Sequence, residues 1–146
     1  MKRATGERNS EDRKSTVVCV TDQFQCERII CAGRSIANLS DTSLLVVSVS
    51  PMEVTERSGQ ALEHLFHISQ ENDAEMSVFY SDKVLKTLTT FIKKKHAVNV
   101  VTGMPQQENS ILSKMWEKLG GVSFFTVDEN GKFVNITQLK RGNEIA

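Results

Sequence analysis

The sequence predicts an α/β domain: a five-stranded, mostly parallel sheet with helices on both faces, closed by a C-terminal β-hairpin. Three observations support that reading. Short β-branched apolar runs alternate four times with stretches whose apolar residues recur at three- and four-residue steps, the pattern of repeated strand-then-helix units. The runs at residues 17–20 (VVCV) and 44–49 (LLVVSV) lack a polar partner face, which suits strands covered by helices on both sides. A fifth β-rich run at residues 122–127 is separated from a sixth at 133–136 by Asp-Glu-Asn-Gly, and Asn-Gly between two such runs signals a hairpin.

Taken in order, residues 1–14 are polar, mixed in charge and nearly free of apolar side chains, so a mobile tail is expected ahead of a domain at residues 15–139 and a frayed end at 140–146. After the first strand, Asp22 is placed to cap a helix with Gln25 reaching back as in a capping box, and loss of that cap would cost about 1 kcal/mol. Ile29, Ile30, Gly33, Ile36 and Ala37 form one stripe, and Gly33 on it allows close approach to the sheet. Asn38, Ser40 and Asp41 end this helix. The second strand closes at Ser50-Pro51, where proline blocks continuation. A helix up to about Glu71 then carries Ala61, Leu62, Leu65 and Phe66 as its apolar stripe.

The third strand, residues 76–80, is short and mixed, as an edge strand would be. Ser81 or Asp82 opens a helix with Val84, Leu85, Leu88, Phe91 and Ile92 on its buried side, and Lys93, Lys94 and Lys95 in its last turn complement the helix dipole. The fourth strand spans residues 98–101. From Glu108 a helix carries Ile111, Leu112, Met115, Trp116 and Leu119 and stops at Gly120-Gly121, with Trp116 read as core.

At 146 residues the chain is long enough for one core without staples. Lys plus Arg number 18 and Asp plus Glu 18, so the global positive field that drives nucleic-acid binding is missing. Neither a nucleic-acid partner nor a membrane is expected. Cys19, Cys26 and Cys31 are an odd number crowded into one strand and helix with no apolar leader ahead of them, so small core residues in a reducing cytoplasm are expected. Cys26 and Cys31 lie about 140° apart around a helix and cannot share a metal. His64 and His67 could share one with Glu63 or Glu71, but zinc wants three or four converging ligands and none is placed to converge here, so a solvent-exposed flank is expected. Two sequons, at Asn38 and Asn135, matter only on a secretory route.

In a doubly wound sheet, ligands bind beyond the carboxyl ends of the strands where strand order reverses. The candidate loops are therefore residues 21–25, 48–52 and 102–109, and the candidate ligand-binding residues are Thr21, Asp22, Gln23, Val49, Gly103, Met104, Gln106, Gln107 and Asn109. A helix starting near Glu108 offers unpaired N–H groups to a phosphate, but the loop before it has one glycine, no Lys or Arg, and the negative Glu108. No P-loop, G-x-G-x-x-G, G-x-S-x-G or H-E-x-x-H is found, so no enzyme class is indicated.

The segment at residues 18–30, VCVTDQFQCERII, with the order of elements after it, resembles the universal stress protein family. It is most similar to the stress-protein-like domain of potassium-responsive sensor histidine kinases, which often carries V-x-V-S-x-S-x-x-S-E-R-L-I at this point. The resemblance implies a Rossmann-like five-stranded sheet, homodimerisation through the C-terminal edge strand, and a non-enzymatic regulatory or ligand-sensing module with a signalling protein as a partner. In part of that family it implies ATP or another adenine nucleotide at the turns after the first and fourth strands. ATP-binding members resemble G-x-x-G followed nine residues later by G-S or G-T. Here Gly103 matches while Gln106, Trp116 and Glu117 occupy the remaining places, and Thr21 and Gln23 replace paired serines, so weak ATP binding or none is expected. Two other readings are a phosphotransfer receiver built on Asp22, Asp82, Thr102 and Lys132, which lacks a second carboxylate beside Asp22 to hold magnesium, and a nucleotide-hydrolysing enzyme, which lacks a base and a phosphate clamp.

Overall fold

The computed structural model describes residues 13–21, 23–50, 56–104 and 111–137. The expected N-terminal tail to residue 12, the frayed end at 140–146, and the site candidates Asp22, Gln106, Gln107 and Asn109 lie outside the described residues.

Five parallel strands alternate with four helices: β1 (Ser15–Val20), α1 (Glu27–Ser40), β2 (Ser43–Ser50), α2 (Glu56–Glu71), β3 (Glu75–Tyr80), α3 (Val84–Lys94), β4 (Ala97–Gly103), α4 (Ile111–Lys118) and β5 (Ser123–Val127). A sixth strand, β6 (Phe133–Asn135), returns antiparallel to β5. The sheet order is β3-β2-β1-β4-β5-β6. β1 and β2 are therefore central and β3 is an edge, as their apolar patterns indicate.

Winding runs outward from β1 to β3 and then reverses, so crossovers of one hand must change face at the reversal. The cores follow that rule. Val18, Val46 and Val101 pack with Ile30, Ile36 and Leu65 of α1 and α2, while Val17, Val47 and Val100 pack with Leu88, Ile92 and Met115 of α3 and α4. Gly33 sets the approach of α1 to the sheet, because a Cβ there would stand 2.3 Å from Val18 Cγ2.

Several local expectations are corrected. The first α-helix begins at Glu27 with Cys26 at its cap position, after a single 3-10 turn, Phe24–Cys26, capped in position by Gln23; neither cap makes a side-chain hydrogen bond. The Gln25 side chain donates to that of Gln23, and its expected partner in a capping box, Asp22, lies outside the described residues. Among the described side chains of α2 the buried ones are Ser58, Ala61, Leu62, Leu65 and Ser69, and Phe66 is 45% exposed at the edge of the stripe. Ile111 is likewise largely exposed. Ser81 opens α3 only indirectly: its Oγ accepts from Lys83 N, and Lys83 holds the cap position. The hairpin forms over Asp128 to Gly131 as expected, with Gly131 at φ 83°. Asp128 Oδ1 accepts from Asn130 N and Lys132 N and closes this loop.

The aromatic residues of the hairpin turn inward. Phe124 is fully buried, and Phe125 and Phe133 meet edge to face with centroids 6.0 Å apart while packing on the α1 side of the core. Val134 is what the last strand leaves outside. Cys26 is buried, as expected of a small core residue, but Cys31 is exposed.

Beneath α1, at the end of the sheet opposite the candidate loops, Asn99 Nδ2 donates to Thr16 Oγ1 and Ser40 Oγ at 3.0 Å each, and Thr16 and Thr42 hydroxyls lie 2.6 Å apart. Thr16, Thr42 and Asn99 are buried and satisfy one another, with the exposed Ser40 as a further partner, which buried polar groups must do to avoid a desolvation cost.

Candidate functional site

Reversal of strand order between β1 and β4 splays the chain ends that follow them, and a cleft of about 420 Å³ opens there. It lies beyond the carboxyl ends of the strands, where such sheets take ligands. Of the residues singled out in the sequence, Thr21, Gln23, Val49, Gly103 and Met104 all line this one cleft.

Gly103 ends β4 in a tight place. A side chain there would bring its Cβ to 3.2 Å from Ile29 Cδ1 and 3.9 Å from Arg28 Nη2, so the bare backbone keeps the floor of the cleft open beneath the guanidinium. Arg28 is the cation absent from the loops themselves. Its Nε donates to Asp128 O at 2.8 Å and its Nη1 to Gln25 O at 2.6 Å, bonds that tie α1 to the hairpin and fix the head group at the cleft. The expectation that no cation reaches this site is thereby corrected. It is the one cation among the described lining residues, which include no Asp, Glu, His or Lys.

The walls are mixed. Thr21, Gln23, Gln25 and Thr102 supply polar atoms, although the Thr102 hydroxyl already donates to Gly103 O at 2.9 Å. Val49, Leu88, Met104, Ile111 and Met115 supply apolar surface. Cys19 reaches the cleft with a little accessible surface, but its surroundings desolvate the thiol and push it up to about 12, so it stays protonated and non-nucleophilic near neutral pH. Leu88, Ile111, Leu112 and Met115 were read from the sequence as core, and their helical stripe gave no sign that its end faces a cleft.

The receiver arrangement does not assemble. Asp82 follows β3, which is separated from β1 by β2, and strands lie about 4.8 Å apart, so its position is roughly 10 Å from the end of β1. Lys132 is exposed on the hairpin loop. His64 is not a free flank: its Nε2 lies 2.9 Å from Glu27 Oε1 and its ring tilts against Phe24 at 5.2 Å, tying α2 to the start of α1. No group of three or more metal-ligating side chains converges among the described residues.

No protein-family model and no curated protein matches the sequence. Solved structures do. A universal stress protein from Archaeoglobus fulgidus superposes with TM-score 0.61 at 15% identity, covering 79% of this chain and 92% of its own. A universal stress protein in complex with cAMP gives TM-score 0.62 at 12% identity, over 80% of this chain and 98% of that one. The Archaeoglobus fulgidus protein in complex with dAMP gives TM-score 0.59 at 15% identity, over 79% and 96%. The chain has the fold of the universal stress proteins.

Proposed function

We propose that this protein is a universal stress-type ligand-binding module, without catalytic activity of its own, whose cleft takes an adenine nucleotide bearing a single phosphate. The observation that carries the reading is the meeting of Gly103, Arg28 and Thr21 at the point where strand order reverses. Bare backbone at Gly103 lets a phosphate come close, and Arg28 has Nη2 left for an anionic oxygen once Nε and Nη1 are used. A single guanidinium balances one phosphate group better than three. The apolar wall suits a flat base, and the volume falls within the range of about 300–1,000 Å³ usual for small-ligand sites. Neighbours of the same fold, solved with cAMP and with dAMP, support this ligand class.

The non-enzymatic part rests on the lining. The described lining holds no carboxylate or imidazole, and its Cys19 is protonated, which supports binding over hydrolysis. The likeness of residues 18–30 to sensor-kinase stress domains makes a signalling protein the partner class. The edge of β6, which has no further strand beside it among the described residues and leaves Val134 46% exposed, is the surface for a homodimer.

Thermal melting with adenosine, AMP and ATP tests the ligand. A ligand present at a hundredfold excess over its Kd stabilises the fold by about 2.7 kcal/mol. AMP at 1 mM should raise the melting temperature by several degrees, ATP by less, and Arg28→Ala should abolish the AMP shift. A larger shift with ATP, or release of phosphate from ATP, would overturn the reading; so would no shift with AMP.

A further inference from the structure

On the opposite border of the sheet, β3 presents an edge with no strand beside it among the described residues. Its Met76–Tyr80 portion, MSVFY, carries no charge, and Val78, Phe79 and Tyr80 are 36%, 38% and 46% exposed. Edge strands are ordinarily blunted by lysine, proline or a bulge within the strand, because the free backbone groups invite another chain. This one carries a single charge, the exposed Glu75 at its first position, and from Met76 onward none of these devices.

Beside the edge runs a groove of about 480 Å³ between β3 and α3. Its floor is apolar, formed by Phe79 and Phe91 in edge-to-face contact at 5.7 Å. Its rim holds Lys83, Lys86, Lys94 and Lys95 and no carboxylate. Lys95 Nζ stands 5.8 Å from the Phe91 ring centroid, and no carboxylate among the described residues pairs with any of the four. Lys83 and Lys86 occupy the start of α3 and Lys94 and Lys95 its end, so positive charge brackets both ends of the strand length.

We infer that this edge and groove dock an extended acidic segment of another protein, added as a strand beside β3 with an apolar side chain over Phe79 and acidic side chains on the lysines. Charge decides against a second copy as the occupant. Two β3 strands paired antiparallel about a two-fold axis normal to the sheet would bring both α3 helices to one face, setting lysine against lysine. An acidic strand meets the same lysines with opposite sign and receives backbone hydrogen bonds from the edge. The groove shares no residue with the nucleotide cleft, so the inference stands apart from the reading given above.

The test uses the full chain and a fluorescein-labelled seven-residue peptide that alternates glutamate with valine and phenylalanine, set against its counterpart with lysine replacing glutamate. Anisotropy should show saturable binding of the acidic peptide, at least tenfold weaker binding of the basic one, and weakening as salt is raised. Lys86→Glu combined with Lys94→Glu, both on exposed positions, should lower affinity at least tenfold. Backbone amide shifts should be confined to β3 and α3. No saturation by the acidic peptide, equal binding of both peptides, shifts centred on β6, or self-association of the free protein through β3 would each overturn the inference.

Discussion

Replacing Gly33 by alanine should destabilise this protein, although glycine to alanine in a helix ordinarily does the reverse. Helix propensity alone would return about 0.8–1.0 kcal/mol. At this position, however, the new Cβ would stand 2.3 Å from Val18 Cγ2 and 3.1 Å from Leu44 Cδ1. Val18 is fully buried on the central strand and β-branched, so its methyl cannot swing aside cheaply. Overpacking of a tight core costs about 1–3 kcal/mol, occasionally more. Since α1 must move from the sheet as a unit, the upper part of that range applies, leaving a net loss of about 1–2 kcal/mol. Urea denaturation followed by circular dichroism should show the midpoint falling with an unchanged slope. Gly59→Ala on α2 is the internal control: nothing lies within 4 Å of its Cβ position, and it should raise stability by about 0.5–1 kcal/mol. In a Val18→Ala background the 2.3 Å contact is gone and only the Leu44 methyl, 3.1 Å away at the end of a flexible side chain, has to give, so Gly33→Ala should then cost far less or become stabilising. Stabilisation by Gly33→Ala in the wild-type chain, or the same effect in both backgrounds, would refute the close-approach argument.

His96 ends α3 with φ 55°, a left-handed conformation that glycine adopts freely, so His96→Gly should stabilise by about 0.5–1 kcal/mol and His96→Val should destabilise, both read from thermal melting. Asn99→Leu should cost about 1–3 kcal/mol by stripping a donor from the buried Thr16 hydroxyl, with the urea midpoint as readout. Under native conditions a disulfide reagent should modify a single thiol, the exposed Cys31, while buried Cys26 and protonated Cys19 react only on unfolding. The Cys19 thiol, ordinarily near 9.0 and raised to about 12 in the fold, contributes stability that is present below pH 9 and is lost as pH rises from there towards 12; an alkaline melting series with Cys19→Ala lacking that loss checks the sign.

Which side of a helix is buried was legible where the period was clean. The stripe of Ile29, Ile30, Gly33, Ile36 and Ala37 is buried in full, and Cys26 falls on it one turn earlier while Cys31 falls off it, a difference that the same helical geometry could have told. On α2 the pattern was less clean, and Phe66, one step past Leu65, was taken into a stripe that closes without it. The start of α1 failed for another reason. Asp22 and Gln25 satisfy the spacing of a capping box, but a 3-10 turn over Phe24–Cys26 intervenes and the α-helix begins at Glu27, behind the buried Cys26.

By itself the sequence determined the order of strands and helices, the burial of β1 and β2, the exposure of β3 at an edge and the return of the chain at Asp128 to Gly131, because each is written in local periodicity and turn chemistry. It also brought Thr21, Gln23, Val49, Gly103 and Met104 to one place through the rule for doubly wound sheets. Only the tertiary structure decided which strand borders β1, since a buried strand has the same pattern whichever neighbour it takes; that choice leaves Asp82 away from the cleft and brings β4 to it. Only the tertiary structure carried Arg28 over Gly103, turned Phe125 and Phe133 inward against each other, and set four lysines of α3 beside a bare edge. Those are contacts between residues far apart in the chain, fixed by the packing of α1, α3 and the hairpin on the sheet, and no local pattern records them.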